Sequence, residues 1–283
     1  MSEVAGISNS RKFNASGNAR VRFALSPDNR TYIAEQLVAY PFHITRPFYL
    51  QDDPPGMPSL YLQSVSGGVF EGDKLNVDID VGPGGAAHVT TQASTVVHRM
   101  ERGRALQTTH LKADADSLLE FVPDPMVLFP LARLTNQIKV VCADSATVMV
   151  SDAFLSHDPQ GGDAPFSDLH MQLAIERPDG TPVALDRFEI TGEPLAKHNR
   201  YCAHGSFVCV TPRGAPKVLC EQLHAALNLI PDCYAGVSAL PHDAGIWMRV
   251  VAENSHALRA AIETTWSGLR TELSGAVPRR RPK

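Results

Sequence analysis

The chain has 283 residues, and 43% of them are apolar, so it is long enough to bury a substantial core. Its net charge of −4 and its pI of about 6.2 give no general attraction to nucleic acid or to acidic membranes. We interpret the one basic cluster, at 279–283, as a solvated tail.

Two further bulk features bear on location and on redox state. The first 18 residues lack the apolar core of a secretory signal, and no run approaches the roughly 20 apolar residues of a membrane span. We therefore expect a cytosolic protein with no membrane or nucleic-acid partner. The five cysteines are odd in number and form no CxxC pair, which favours reduced, buried thiols over a disulfide framework or a zinc ribbon.

Short segments of alternating polar and apolar residues dominate the chain from about 20 to 190. The clearest is 75–81, where Leu75, Val77, Ile79 and Val81 fall on one face of a strand. This pattern predicts strands at 21–25, 31–39, 60–64, 75–81, 87–93, 106–111, 118–122, 137–141, 147–151, 168–176 and 181–190.

A glycine-rich turn at 67–74, GGVFEGDK, nearly spells a phosphate-binding loop. Asp73 stands where that loop needs a lysine, and the segment that follows alternates as a strand instead of starting a helix. We therefore interpret the stretch as strand, turn, strand.

Similar turns recur between the predicted strands. Aligning Gly85, Asp116 and Asp144 gives spacings of 31 and 28 residues. A repeat of this length favours units of a few strands that bury their apolar faces by stacking, as in a β-solenoid. An ordinary β-sandwich with turns of similar composition is the alternative.

The pattern changes after residue 191. Leu219, Leu223 and Leu227 recur at helical spacing and predict a helix over 216–230. Strand-like runs follow at 234–239 and 246–252, and then a longer helix capped by Asn254 or Ser255 and closed by Gly275. The predicted fold is mainly β, with stacked, β-helical-like sheets and a C-terminal helix–strand–strand–helix portion. Because no linker rich in Gly, Ser or charged residues separates the two parts, we treat 1–283 as one domain with a core at about 20–275 and loosely ordered ends.

Motifs for catalysis are weak. His198, Cys202 and His204 offer two imidazoles and a thiol within seven residues, a set that nickel or zinc accepts, but no HExxH or paired cysteines support it. The Ser64–Gly68 stretch lacks the GxSxG elbow of serine hydrolases. Asp73 and Glu120 lie in apolar surroundings, where a buried carboxylate is costly unless it is paired or used.

The order of several motifs resembles the urease accessory protein UreD (UreH) family. The motifs are SGGVFEGD at 66–73, TTQAST at 90–95 and LEFVPDP at 119–125, flanked by YPFHITRP at 40–47, IWMRV at 246–250 and WSGLR at 266–270. The likeness extends over roughly 20–273. The chain departs from the family pattern at 151–166, where the usual Gly-Arg and Gly-Glu pairs are missing.

The resemblance implies a maturation factor that is not itself an enzyme. UreD-like proteins bind apo-urease together with a helical partner, UreF, and a GTPase, UreG, during nickel insertion. The family is described as β-rich, with an internal polar passage for the metal. No cofactor is then tightly bound, and nickel is only in transit.

The same resemblance suggests which residues line such a passage. A conduit must release its ion, so weak oxygen ligands suit it better than a tetrahedral His/Cys cage. Our candidates for transient nickel contacts are Asp73, Glu120, Asp152 and Glu189, with Thr91 and Ser94 as further lining residues. The alternative function is a β-rich metal-dependent enzyme that uses His198, Cys202 and His204.

Overall fold

The computed structural model describes residues 16–49, 56–193, 200–275 and 278. Within these ranges two sheets and two α-helices form the fold. The strands are β1 Ser16–Leu25, β2 Thr31–Val38, β3 Phe42–Ile44, β4 Ser59–Ser64, β5 Lys74–Val81, β6 Ala86–Thr91, β7 Val96–Val97, β8 Ala105–Ala113, β9 Leu118–Phe121, β10 Met126–Leu128, β11 Arg133–Cys142, β12 Thr147–Ser156, β13 Asp168–Glu176, β14 Pro182–Thr191, β15 Ala203–Val210, β16 Cys233–Ala239 and β17 Gly245–Ala252. The helices are α1 Pro216–Leu227 and α2 Ser255–Ser274.

From β5 to β12 the chain passes back and forth between the two sheets. The seven-stranded sheet has the order β14-β13-β11-β8-β5-β1-β2, and the main path of the ten-stranded sheet runs β16-β17-β15-β12-β9-β6-β4-β3. The pairs β5 with β8, β8 with β11, β6 with β9 and β9 with β12 are all parallel. This part of the chain therefore winds as stacked coils, each with one strand in the seven-stranded sheet and one or two strands in the ten-stranded sheet, where the short strands β7 and β10 lie off the main path. The predicted stacked, mainly β fold is confirmed.

The internal repeat is real, but its register differs by one residue from the predicted one. Ala86 pairs with Leu118, 32 residues later, and Leu118 pairs with Thr147, 29 residues later. Gly84 and Asp116 thus occupy the same place in successive turns, and both have a left-handed backbone, with φ of 67° and 58°. The alignment based on Gly85 was wrong because composition alone does not reveal which turn residue has positive φ.

The alternation of buried and exposed residues explains why these segments form strands. In β5 every second residue, from Leu75 to Val81, is buried, as predicted. Between the sheets the buried apolar residues form two separate clusters. One surrounds Val77, Val140 and Val148, and the other surrounds Leu75, Leu134 and Phe154.

A third cluster lies between the ten-stranded sheet and the two helices, with Leu223 of α1 and Leu258 of α2 at its centre. Helix α2 begins where predicted, because the Asn254 side chain accepts a hydrogen bond of 2.9 Å from the amide of Ala257. It ends at Gly275, whose φ is 80°.

Helix α1 stops at Leu227, three residues short of the predicted end. The amides of Leu229 and Ile230 donate to carbonyl oxygens three residues earlier, so the last predicted residues form tight turns instead of α-helix. No helix in the described ranges combines the length and apolar character needed to cross a membrane.

Several elements escaped sequence analysis. The strands β3, β7 and β10 have only two or three residues, too few for a visible period. Strand β12 continues to Ser156, into the segment that departs from the family pattern. The cysteines are free thiols: Cys142 and Cys209 are buried, and Cys202, Cys220 and Cys233 are partly buried. Burial raises the pKa of Cys142 to about 11.

Candidate functional site

A cavity of about 290 Å³ lies between the two sheets, at the boundary between the two inter-sheet clusters. Its walls include Val77 and Ile138 from one cluster and Leu75 and Met126 from the other. One end is formed by the loops that carry Gly67, Gly68 and 92–95, where Gln92 and Ala93 are exposed, so the cavity opens to solvent there. The polar lining residues are Gln63, Ser64, Thr91, Gln92, Ser94, Thr95, Gln107, Thr109, Asp124, Asn136, Ser151 and Asp152.

Polar residues interrupt apolar rows on both sheets, which explains why the core divides here. On β11, Asn136 lies two residues from the buried Leu134 and Ile138, and all three side chains point inward. On β12, Asp152 lies between Val150 and Phe154 in the same way. A buried amide and a buried carboxylate do not pack as hydrocarbon, so space remains between the sheets.

Asp152 has the most unusual environment in the cavity. Its Oδ1 atom is buried and has no hydrogen-bond partner among the described residues, and the same is true of Oδ1 of Asn136. Burial raises the pKa of Asp152 to about 7; the charge of Asp186 adds to the rise, and Arg249 opposes it. The carboxyl can therefore gain or lose its proton near neutral pH.

The end of β6 and the loop after β9, on the same side of the cavity as Asp152, connect the cavity to helix α2. The backbone amide of Asp124 donates a hydrogen bond of 2.8 Å to the hydroxyl of Thr91, which fixes that side chain at the cavity surface. Oδ1 of Asp124 lies 3.7 Å from Nη2 of Arg259, and the Asp124 side chain is almost fully buried. Oxygen atoms that can act as metal ligands therefore line the cavity, and Asp124 is held in place by its ion pair with helix α2.

Three of the six predicted passage residues meet in this cavity: Thr91, Ser94 and Asp152 all line it. Asp73, Glu120 and Glu189 are absent from its lining. Asp73 is buried and accepts a hydrogen bond of 2.9 Å from the amide of Phe70, so it closes the glycine turn that forms one edge of the opening. This geometry gives Asp73 a structural task at the rim of the site.

Glu120 lies on the other face of the ten-stranded sheet, against helix α2. Its carboxylate accepts hydrogen bonds from Arg270 at 2.5 and 2.6 Å and from Trp266 at 2.9 Å, and Nδ1 of His88 lies 2.7 Å away. Both Glu120 and Arg270 are buried. Burial alone would raise the pKa of Glu120, but Arg270 and His88 hold it at about 2. This carboxylate is fully engaged in joining the helix to the sheet.

Glu189 lies on β14 with an exposed side chain. Its Oε1 is 3.7 Å from Nδ1 of His170, on the neighbouring strand β13. The structure therefore places Glu189 on the surface, away from Asp152, Thr91 and Ser94.

The histidine and cysteine candidates are only partly covered. His198 lies outside the described residues. Cys202 Sγ donates to the carbonyl oxygen of Glu253 at 3.0 Å, and His204 stacks on Phe154 with ring centroids 5.1 Å apart. His204 belongs to strand β15. Among the described residues no group of three or more His, Cys, Asp or Glu side chains could hold a metal ion.

Sequence analysis missed several polar residues of this region. Thr109, Asn136 and Asp124 line the cavity, and Arg249 and Asp186 lie close enough to Asp152 to shift its pKa. For Thr109 and Asn136 the sequence did contain a signal. The alternation along each strand turns these two side chains toward the core, where an apolar residue is expected.

Comparisons with known proteins agree on one family. A family model described as "UreD urease accessory protein" matches residues 15–282. The protein named urease accessory protein UreD 1 of Pseudomonas syringae pv. syringae (strain B728a) is 39% identical over 271 residues, which cover 94% of this chain and 95% of that protein. The protein of that name from Methylorubrum populi is 37% identical and covers 89% of this chain and 87% of its own.

A more distant relative gives the same result. Urease accessory protein UreD 2 of Streptomyces griseus is 33% identical over 254 residues, with 87% of this chain and 86% of that protein covered. The family match and these relatives all extend over nearly the whole chain, and the stacked-sheet fold with two C-terminal helices agrees with the resemblance noted in the sequence. The chain belongs to the UreD family of urease accessory proteins.

Proposed function

We propose that this chain is a non-catalytic maturation factor that passes nickel through its inter-sheet cavity to apo-urease. The observation that supports this most strongly is a cavity open to solvent, lined by hydroxyl, amide and carboxyl oxygens, with Asp152 buried inside. Nickel is the cargo in this proposal and does not remain on the chain.

The oxygen ligands in the cavity are better suited to passing a nickel ion on than to holding it. Hydroxyl and amide oxygens are weak ligands for nickel, and carboxylates hold the ion less firmly than an imidazole or thiolate cage does. Asp152 must lose its proton before it binds a cation, and its pKa near 7 keeps that cost small at neutral pH. An ion can therefore enter and leave without a deep energy minimum.

The proposal assigns the energy-consuming step to partners. The glycine turn at 67–74 contains Asp73 in place of the P-loop lysine, and Asp73 accepts a hydrogen bond from the turn itself. Nucleotide hydrolysis would then belong to a UreG-like GTPase, and a UreF-like helical protein would join it to this chain and to apo-urease. Co-purification with the UreF-like protein is the expected behaviour.

A blocked opening tests the passage. Ser94→Trp places an indole in the loop where the cavity meets solvent, and we expect urease activation in cells to fall at least tenfold. Urease activity and urease-bound nickel are both measured after co-expression with the partners. Thr181→Trp, in the exposed turn between β13 and β14, is the matched control and should activate normally.

Pull-down of the UreF-like protein by both variants separates a blocked passage from a lost fold or lost assembly. The proposal fails if Ser94→Trp assembles normally and still activates urease as well as the wild type does.

A further inference from the structure

One ion pair joins the two sheets close to Asp152. Nη2 of Arg249, on β17 of the ten-stranded sheet, lies 2.6 Å from Oδ1 of Asp186, on β14 of the seven-stranded sheet. The Asp186 side chain is only 15% exposed, whereas that of Arg249 is 57% exposed. The guanidinium therefore reaches from the surface into the gap between the sheets.

Strand register puts this ion pair level with Asp152. Asp152 pairs with Ser206 on β15, and Ser206 pairs with Arg249 on β17, so all three side chains project from the same face. Two strand spacings separate the backbones of Asp152 and Arg249, about 10 Å. Asp186 pairs with Leu173, a core residue between the sheets, and therefore also points inward.

The electrostatics agree with this placement. Asp186 raises the pKa of Asp152 and Arg249 lowers it, as expected for two carboxylates that share one cation. Asp152 lines the cavity, and its Oδ1 has no hydrogen-bond partner among the described residues. Arg249 thus forms an ion pair with Asp186 and also lowers the pKa of the nearby Asp152.

Arg249 also borders the outside of the molecule. With Gly236, Ser238 and Trp247 it lines a surface hollow of about 500 Å³ at the end of the ten-stranded sheet. The residue therefore lies between this hollow and the part of the interior that contains Asp152. This position is distant along the sheet from the loops around Ser94, where the cavity opens.

We propose that Arg249 is a built-in counter-cation at a second opening of the passage, and that a divalent cation binds Asp152 and Asp186 together by displacing its guanidinium. This inference rests on the proposed function and adds the control of one end of the passage. With no metal present, the ion pair closes the gap between β14 and β17. When an ion arrives, two carboxylates and one divalent charge balance, and the released guanidinium turns toward the solvent that already surrounds much of it.

The arrangement also explains release. Because the arginine stays tethered next to the site, it competes with the bound ion at high local concentration and restores the ion pair when the ion leaves. Two carboxylates without competition would retain the metal for longer, since their mutual repulsion would be relieved only by a cation.

Removing the competitor tests the inference. Arg249→Gln in the purified full-length chain should bind one Ni²⁺ at least tenfold more tightly than the wild type, measured by equilibrium dialysis against Ni²⁺ alone. Adding Asp152→Asn to that variant should abolish the gain. Arg22→Gln, which breaks an exposed ion pair with Glu35 on the outer face, is the matched control and should bind nickel as the wild type does.

Arg249→Lys keeps a tethered cation and should retain the weak binding of the wild type, which distinguishes lost competition from a disturbed strand. Unchanged affinity in Arg249→Gln, or tight binding that persists after Asp152→Asn, would overturn the inference. Either result leaves the Ser94→Trp activation test untouched, so failure of this site and failure of the passage are distinguishable.

Discussion

At the scale of single residues, Asp152 shows how the cavity affects the stability of the fold. Its carboxyl is enclosed between sheets, and its pKa is raised from 3.8 to about 7. Between these values the folded chain binds a proton that the unfolded chain has already lost. Stability from this group is therefore present at low pH and is lost as the pH rises through this window.

Asp152→Asn should remove that dependence. We expect the unfolding free energy of the variant, relative to the wild type, to increase with pH from about 4 to about 7, by up to about 1.4 kcal/mol per pH unit. Urea denaturation at a series of pH values measures the difference. Asp163→Asn, in an exposed loop, is the control and should follow the wild type; a constant difference for Asp152→Asn would contradict this account of Asp152.

At the scale of elements, the attachment of helix α2 depends on a buried ion pair. Arg270 and Glu120 are almost completely buried, and their hydrogen bonds at 2.5 and 2.6 Å connect the helix to strand β9. Trp266, one turn earlier on the helix, donates to the same carboxylate. The sequence marked Glu120 as a buried acidic residue but did not reveal its partner, because 150 residues separate Glu120 from Arg270.

Arg270→Met should destabilise the chain by about 3–5 kcal/mol, because it leaves the buried Glu120 charge without its main counter-ion. Adding Glu120→Gln removes that charge, so the double variant should lose clearly less than the sum of the two single losses. Urea denaturation of the four proteins gives the coupling. Arg20→Met, which breaks an exposed ion pair with Asp78, should cost less than about 1 kcal/mol; strict additivity at the Arg270 site would contradict the buried-pair account.

At the scale of the whole molecule, the regular part of the fold could be predicted and the site only in part. Period-two alternation locates most of the longer strands, and the recurring turns indicate stacking because a coil cannot bury its apolar face alone. The same alternation could have identified Asn136 and Thr109 as polar residues that point toward the core. The proximity of Asp152 to Asp186 and Arg249 could not be predicted, because it depends on which strands become neighbours across two sheets.

The architecture determines where the cavity lies and which elements surround it. The stacked coils form two facing sheets, and polar residues at a few inward positions keep one cavity open between them, at the boundary of two apolar clusters. The helices cover the opposite face of the ten-stranded sheet, so the cavity is bounded by the two sheets and by the loops at its open end. Under the proposed function, an ion in this cavity would meet oxygen ligands instead of a closed His/Cys cage.

The most direct measurement is the nickel content of urease after transfer through a reconstituted assembly. Apo-urease is incubated with this chain, the UreF-like protein and the nickel-loaded GTPase, and nickel per urease active site is determined by mass spectrometry. With the wild type, the account predicts loading well above background, and with Ser94→Trp it predicts an intact assembly that leaves urease at background. Equal nickel content with both chains would contradict passage through the cavity.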